Sequence, residues 1–174
     1  MRDLVRFVYV QSSGLLATFA GMPQWNDPDA WKLLRDGATC PICLHGRPMG
    51  VVVELESAYL TSGEDSGIRG YCCLVFKRHA VELHDLSAEE GAALMRDIQR
   101  VSAALARITG ATKLNYEIHG NTIPHLHVHF FPRYVGDAFE DGPINPRALH
   151  SKSAYAAGEF DCFFSELQRE LAGG

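Results

Sequence analysis

Pro124-His125-Leu126-His127-Val128-His129-Phe130-Phe131-Pro132-Arg133-Tyr134 is the stretch whose reading decides the fold. Three histidines alternate with apolar residues, the period of a half-buried strand. His125, His127 and His129 then share one face, while Leu126, Val128 and Phe130 enter a core from the other. Such a histidine face needs a cleft, a metal or solvent in front of it. Imidazole titrates nearest neutral pH, so the cluster points to nucleophilic, acid–base or metal chemistry.

Working outward, the loop His119-Gly120-Asn121-Thr122-Ile123-Pro124 enters this strand from another, Thr112 to Ile118. Gly120 and Asn121 suit a positive-φ turn, which can aim backbone N–H groups at an anion. Asn115, Asn121 and Thr122 add neutral hydrogen-bonding groups suited to phosphate oxygens. No Asp or Glu lies within the histidine strand to complete an oxygen-rich metal shell. A nucleophilic histidine with anion-binding neighbours is therefore favoured over a metal clamp.

Upstream, Ser87 and Glu90 form a capping-box signature. Leu94, Ile98, Val101, Leu105 and Ile108 make one apolar helical face, and Gly110 ends the helix. Before it, Val51 to Leu60 and Gly70 to Phe76 read as two strands joined by the polar turn 61–67. Cys72 and Cys73 sit side by side in the second, so they face opposite ways and cannot join one metal site. Asp27, Pro28 and Gly37 delimit a short helix. Cys40-Pro41-Ile42-Cys43 follows, and two thiolates at that spacing can form half of a zinc site. A redox pair is the rival reading, without the flanking βαβ pattern that would support it. A final helix spans about Ala154 to Leu171, with Phe160, Phe163, Phe164, Leu167 and Leu171 on one side, available to a core or an interface.

Composition bounds the rest. The 174 residues are 47% hydrophobic and carry a net charge of −5 without a basic run, which argues against a broad nucleic-acid-binding surface. Five cysteines, odd in number and closely paired, suit a reducing compartment better than a disulfide framework. The apolar run in residues 1–22 is too short and interrupted to span a bilayer, and their composition is read as that of a disordered or non-native extension. A weak signal peptide ending at Ala20 is the competing reading. Residues 23–174 are expected to form a single domain with a C-terminal helical extension.

Residues 125–131 match the motif His-φ-His-φ-His-φ-φ position for position, φ being apolar. The segment resembles the histidine triad (HIT) family. The longer run from Gly120 through Pro132-Arg133 is similar to its bacterial diadenosine tetraphosphate hydrolase branch, and the likeness extends from about Cys40 to Arg133. The resemblance implies an α+β fold: an antiparallel sheet of about five strands with a long packing helix and a C-terminal helix.

It also implies cleavage of nucleotides at the α-phosphate by the middle histidine, His127, through a nucleotidyl-histidine intermediate. His129 would steady the phosphate, with Asn115, Gly120, Asn121 and Thr122 binding substrate. The transferase branch has glutamine where this chain has His129, which favours a hydrolase. Cys40, Cys43, His79 and His125 match, in order and type, the structural zinc site of some members. The alternative role for His79 is direct phosphate contact. The remaining expectations are a small-molecule nucleotide partner, no nucleic acid polymer, no membrane, a homodimer and a cytoplasmic location. A non-catalytic nucleotide-binding adaptor is the alternative function. The ribose carboxylate is left open among Glu54, Glu56 and Asp65.

Overall fold

A computed structural model of the chain describes residues 24–145 and 154–173. The expectation for residues 1–22 lies outside them. Five strands form one antiparallel sheet: β1 (Val51–Glu54), β2 (Ala58–Thr61), β3 (Cys72–Phe76), β4 (Lys113–Glu117) and β5 (His127–Arg133). Their spatial order is β1-β2-β3-β5-β4, so the histidine strand β5 is interior and β4 is an edge. The α+β architecture is the expected one.

The strand expected over Val51 to Leu60 is two strands. Leu55–Ser57 turns the chain between β1 and β2, with the Leu55 N–H donating to the Ala58 carbonyl. Asp97, buried on the long helix, accepts the Ser57 N–H at 2.8 Å and its hydroxyl at 2.6 Å, which pins the turn. Local β-propensity runs straight through this segment; a carboxylate 40 residues away in sequence breaks it.

The long helix α3 (Ala88–Thr109) begins at the expected capping box: Ser87 accepts the Glu90 N–H and Glu90 accepts the Ser87 N–H. Gly110 closes it at φ 62°. Leu94, Val101 and Leu105 of α3 pack on Leu60, Leu74, Val128 and Phe130 of the sheet. The C-terminal helix α4 (Glu159–Ala172) starts later than expected and adds Leu167 and Leu171 to this core, with Phe163 and Phe164 partly buried against it. Burying a Leu or Phe side chain contributes about 1.5–3 kcal/mol, so this cluster holds helices and sheet together. No helix among the described residues is long and apolar enough to cross a membrane.

The other sheet face meets the N-terminal segment. Asp27 caps α1 (Pro28–Arg35) through the Ala30 N–H at 3.1 Å. Cys40 is the N-cap of a short helix, α2 (Pro41–His45), which carries Cys43. Cys40 and Ile42 pack with Val75, Cys73 and Ile123 in a small second cluster on the face that carries His127 and His129. Cys72 is buried on the opposite face, as adjacency in a strand requires.

Candidate active site and metal centre

The three histidines differ in environment although they alternate in sequence. His125 precedes the ladder of β5 and is fully buried. Its Nε2–H donates to the Phe76 carbonyl at 2.7 Å, because a carbonyl can only accept. Nδ1 therefore carries a lone pair, aimed at Cys40 Sγ (3.5 Å) and Cys43 Sγ (3.6 Å). His79 repeats the arrangement: Nε2–H donates to the Arg35 carbonyl at 2.7 Å, and Nδ1 faces Cys43 Sγ at 3.3 Å. All four ligand atoms of Cys40, Cys43, His79 and His125 lie within 4.8 Å of one another.

Two thiols and two imidazoles, each ring held by a carbonyl in its metal-binding tautomer, are a donor set suited to zinc. Burial and the neighbouring Cys40 thiol push the Cys43 thiol up to about 11, a crowding that a bound cation relieves. The cluster is compatible with zinc. His84, the next histidine in the chain after His79, is exposed beside Asp85 and lies outside this cluster.

His127 and His129 stand on the ladder proper. The His127 Nδ1–H donates to the His125 carbonyl at 2.6 Å, leaving Nε2 with its lone pair. The rings of His127 and His129 meet at 4.7 Å between centroids and 88° between planes. Burial lowers the pKa of His127, so the neutral, nucleophilic form is favoured. His129 is pushed down to about 3, by burial first and then by His127 and His119.

Neighbours on both flanks of His129 were not legible in the sequence. Its register partners are Cys73 on β3 and Glu117 on β4. Tyr71, two residues before Cys73, places its hydroxyl 2.8 Å from His129 Nδ1. Phe131 stacks on His129 at 5.7 Å, and Tyr71 lies against Phe131 at 5.2 Å. On the open side, the His119 ring is 5.7 Å from that of His129, with Nε2 hydrogen-bonded to Glu117 at 2.8 Å.

Asn115, on β4, accepts from Lys113 Nζ at 2.6 Å and shares a groove of about 610 Å³ with Glu117 and His119. Gly120 turns at φ 69°, the positive φ expected of it, and Asn121 and Thr122 are exposed on the same turn. Of the carboxylates left open for ribose, Glu54 pairs with Lys77 at 2.7 Å and Glu56 with Arg96 at 2.7 Å, while Asp65 sits in a separate short helical turn. Among the described residues, Glu117 is the carboxylate level with His129 in the sheet.

The family profile described as the HIT domain matches residues 46–136, just over half of the chain. The chain belongs to the HIT family. A histidine triad protein of Bradyrhizobium japonicum is 35% identical, with 70% of this chain and 89% of that one covered at a TM-score of 0.62. A histidine triad protein of Sinorhizobium meliloti is 25% identical over 69% and 87% of the two chains, at 0.60. A zinc-bound histidine triad family protein of Mycobacterium smegmatis shares the fold at 24% identity, covering 78% and 93%, at 0.54. Family membership points to a nucleotide-binding, hydrolase-type function. The Cys-x-x-Cys segment precedes the matched span, so the metal-ligand set joins residues inside the HIT domain to residues before it.

Proposed function

We propose that this HIT protein is a nucleotide hydrolase cleaving at the α-phosphate of dinucleoside polyphosphates or nucleoside phosphoramidates through a nucleotidyl-histidine intermediate. The observation that carries the reading is the hydrogen bond from His127 Nδ1–H to the His125 carbonyl. It leaves Nε2 as an unprotonated nucleophile, perpendicular to His129 at the end of a buried aromatic wall. Attack of Nε2 on phosphorus forms a P–N bond and breaks the bond to the departing group. Water then attacks the same phosphorus, the P–N electron pair returns to His127, and a nucleoside monophosphate leaves.

With Tyr71 donating to its Nδ1, His129 presents Nε2–H to a phosphate oxygen as a neutral donor. Asn115, level with Phe131 on β4, and Gly120, Asn121 and Thr122 of the turn that leads towards β5 are assigned as the further polar contacts for phosphate or ribose. Residues 23–174 work as one domain in this reading.

The Cys40, Cys43, His79 and His125 set holds structural zinc. All four positions are protein ligands, so the ion's part would be to tie α2 and its N-cap Cys40 to the segments that follow β3 and precede β5. That His125 lends its side chain to this cluster and its carbonyl to His127 supports the link between metal centre and nucleophile. We assign the exposed groove between α3 and β4, about 780 Å³ and bordered by Met95, Tyr116 and Ile118, to a second copy of the chain. Its unpaired edge strand and apolar lining are what a homodimer would cover.

Diadenosine tetraphosphate and an adenosine phosphoramidate test the assignment. Wild-type protein should release AMP from both, pass through a covalent adduct trapped on His127 at alkaline pH, and lose all turnover in His127→Ala. Retained turnover in that variant would remove His127 as nucleophile. Nucleotide binding without turnover in the wild type would favour the adaptor alternative.

A further inference from the structure

The site holds a fourth imidazole that the three-histidine motif does not include. His119 follows β4, half exposed at the mouth of the groove, with its ring 5.7 Å from His129. Glu117 fixes it: the carboxylate accepts from Nε2 at 2.8 Å and is itself mostly covered, its side chain 16% exposed. Glu117 also sits opposite His129 in the β4–β5 ladder, so the pair is anchored to the reacting strand.

We propose that His119, held by Glu117, donates the proton that the departing group takes as the bond to phosphorus breaks. The proposal rests on the hydrolase reading above and adds to it a role that reading leaves vacant. The carboxylate engages Nε2 and orients the ring, so Nδ1 is the nitrogen left to pass a proton to the departing group. His127 is spent as the nucleophile. His129 is shielded between Phe131 and Tyr71 and kept neutral, so it is suited to stabilising charge and poorly suited to giving up a proton. The charged and titratable groups around His119 are Glu117 and Lys113 on β4 and His127 and His129 on β5, with Tyr71 reaching His129 from just before β3. Among these, Glu117 is the anion in hydrogen-bond contact with it.

The step balances. His127 Nε2 forms the P–N bond. The electron pair of the breaking bond goes to the leaving oxygen or nitrogen, which takes the proton from His119. In the second half, water attacks phosphorus and its proton returns to His119, while the P–N electron pair returns to His127. The enzyme is regenerated, the leaving group has gained H and the nucleotide OH. Its place at the mouth lets the protonated product depart into solvent.

The test is leaving-group dependence. Adenosine 5′-phosphate derivatives are compared across a series from p-nitrophenyl ester to alkylamine phosphoramidate. A p-nitrophenolate needs no proton to leave; an alkylamine does. His119→Gln should slow the alkylamine substrate by about a hundredfold in kcat/KM, the usual scale of acid catalysis, and the p-nitrophenyl ester by less than about threefold. Glu117→Gln should follow the same order with smaller losses. His119 is half exposed, so His119→Gln should melt as the wild type does. Equal losses across the series, or none, would overturn the proposal while leaving the hydrolase reading intact. A wild type that turns over none of the series would remove both.

Discussion

Gly37 links backbone geometry to the metal centre, and its replacement by alanine gives a prediction with an internal control. Gly37 lies at φ +81°, and a Cβ there would meet His79 Cγ at 3.2 Å. Gly46, at the end of α2, has φ +76° and nothing within 4 Å of its added Cβ. Each substitution places alanine in the left-handed region at a cost of roughly 1–2 kcal/mol. Reduced freedom of the unfolded chain offsets about 0.4–1 kcal/mol of that. Gly46→Ala should therefore lower stability by about 1 kcal/mol, a fall in Tm of about 3 °C for a chain this size.

Gly37→Ala carries the same backbone cost and must also push the His79 ring. That ring is held between Cys43 Sγ at 3.3 Å and the Arg35 carbonyl at 2.7 Å, so any displacement is felt at the metal-binding nitrogen. Disturbing the support of a ligand typically weakens metal affinity about 10–100-fold. At saturating zinc each tenfold removes about 1.4 kcal/mol of ligand-linked stability, so Gly37→Ala should melt several degrees below Gly46→Ala. The assays are chelator competition for zinc and thermal melting with and without excess chelator. Wild type should hold one ion per chain, and the gap between the variants should narrow once metal is removed. Equal zinc affinity in the two variants would refute the placement of His79 against Gly37 at the metal centre.

Asp137 accepts both Arg133 Nε and Nη2 at 2.8 Å, and Arg133 also donates to the Gly142 and Phe139 carbonyls. Arg133 holds the Asp137 carboxyl well below its usual range. A depressed folded pKa means the stabilisation is present above the unfolded pKa of about 3.9 and is lost as pH falls. Asp137→Asn should thus cost about 2 kcal/mol at neutral pH by urea unfolding, with the difference from wild type closing towards pH 2. A gap unchanged at low pH would dismiss the pair's contribution. At the edge strand, Ile118→Glu, in an exposed position, should convert the proposed dimer to a folded monomer by light scattering. A variant that stays dimeric would move the interface away from β4.

The sequence carried the features set by local periodicity. Alternation along residues 125–131 reveals a strand with one histidine face, because side chains of a strand repeat every two residues wherever it is placed. The capping box and the spacing of Leu94, Val101 and Leu105 likewise disclose α3 and its buried side. The type and order of Cys40, Cys43, His79 and His125 indicated a metal centre through family resemblance, and the fold brings those four residues together.

Tertiary structure decided the rest, because register and tautomer are non-local. Pairing β5 with β3 and β4 brings Cys73 and Glu117 level with His129, and Tyr71 and His119 join it from beyond the strand ends. Nothing in the spacing of residues 71, 117 and 119 fixes those distances. The three histidines of the opening stretch are equivalent by alternation and become distinct through carbonyls and a hydroxyl. The Phe76 carbonyl turns His125 to the cysteines, the His125 carbonyl frees Nε2 of His127, and Tyr71 engages His129.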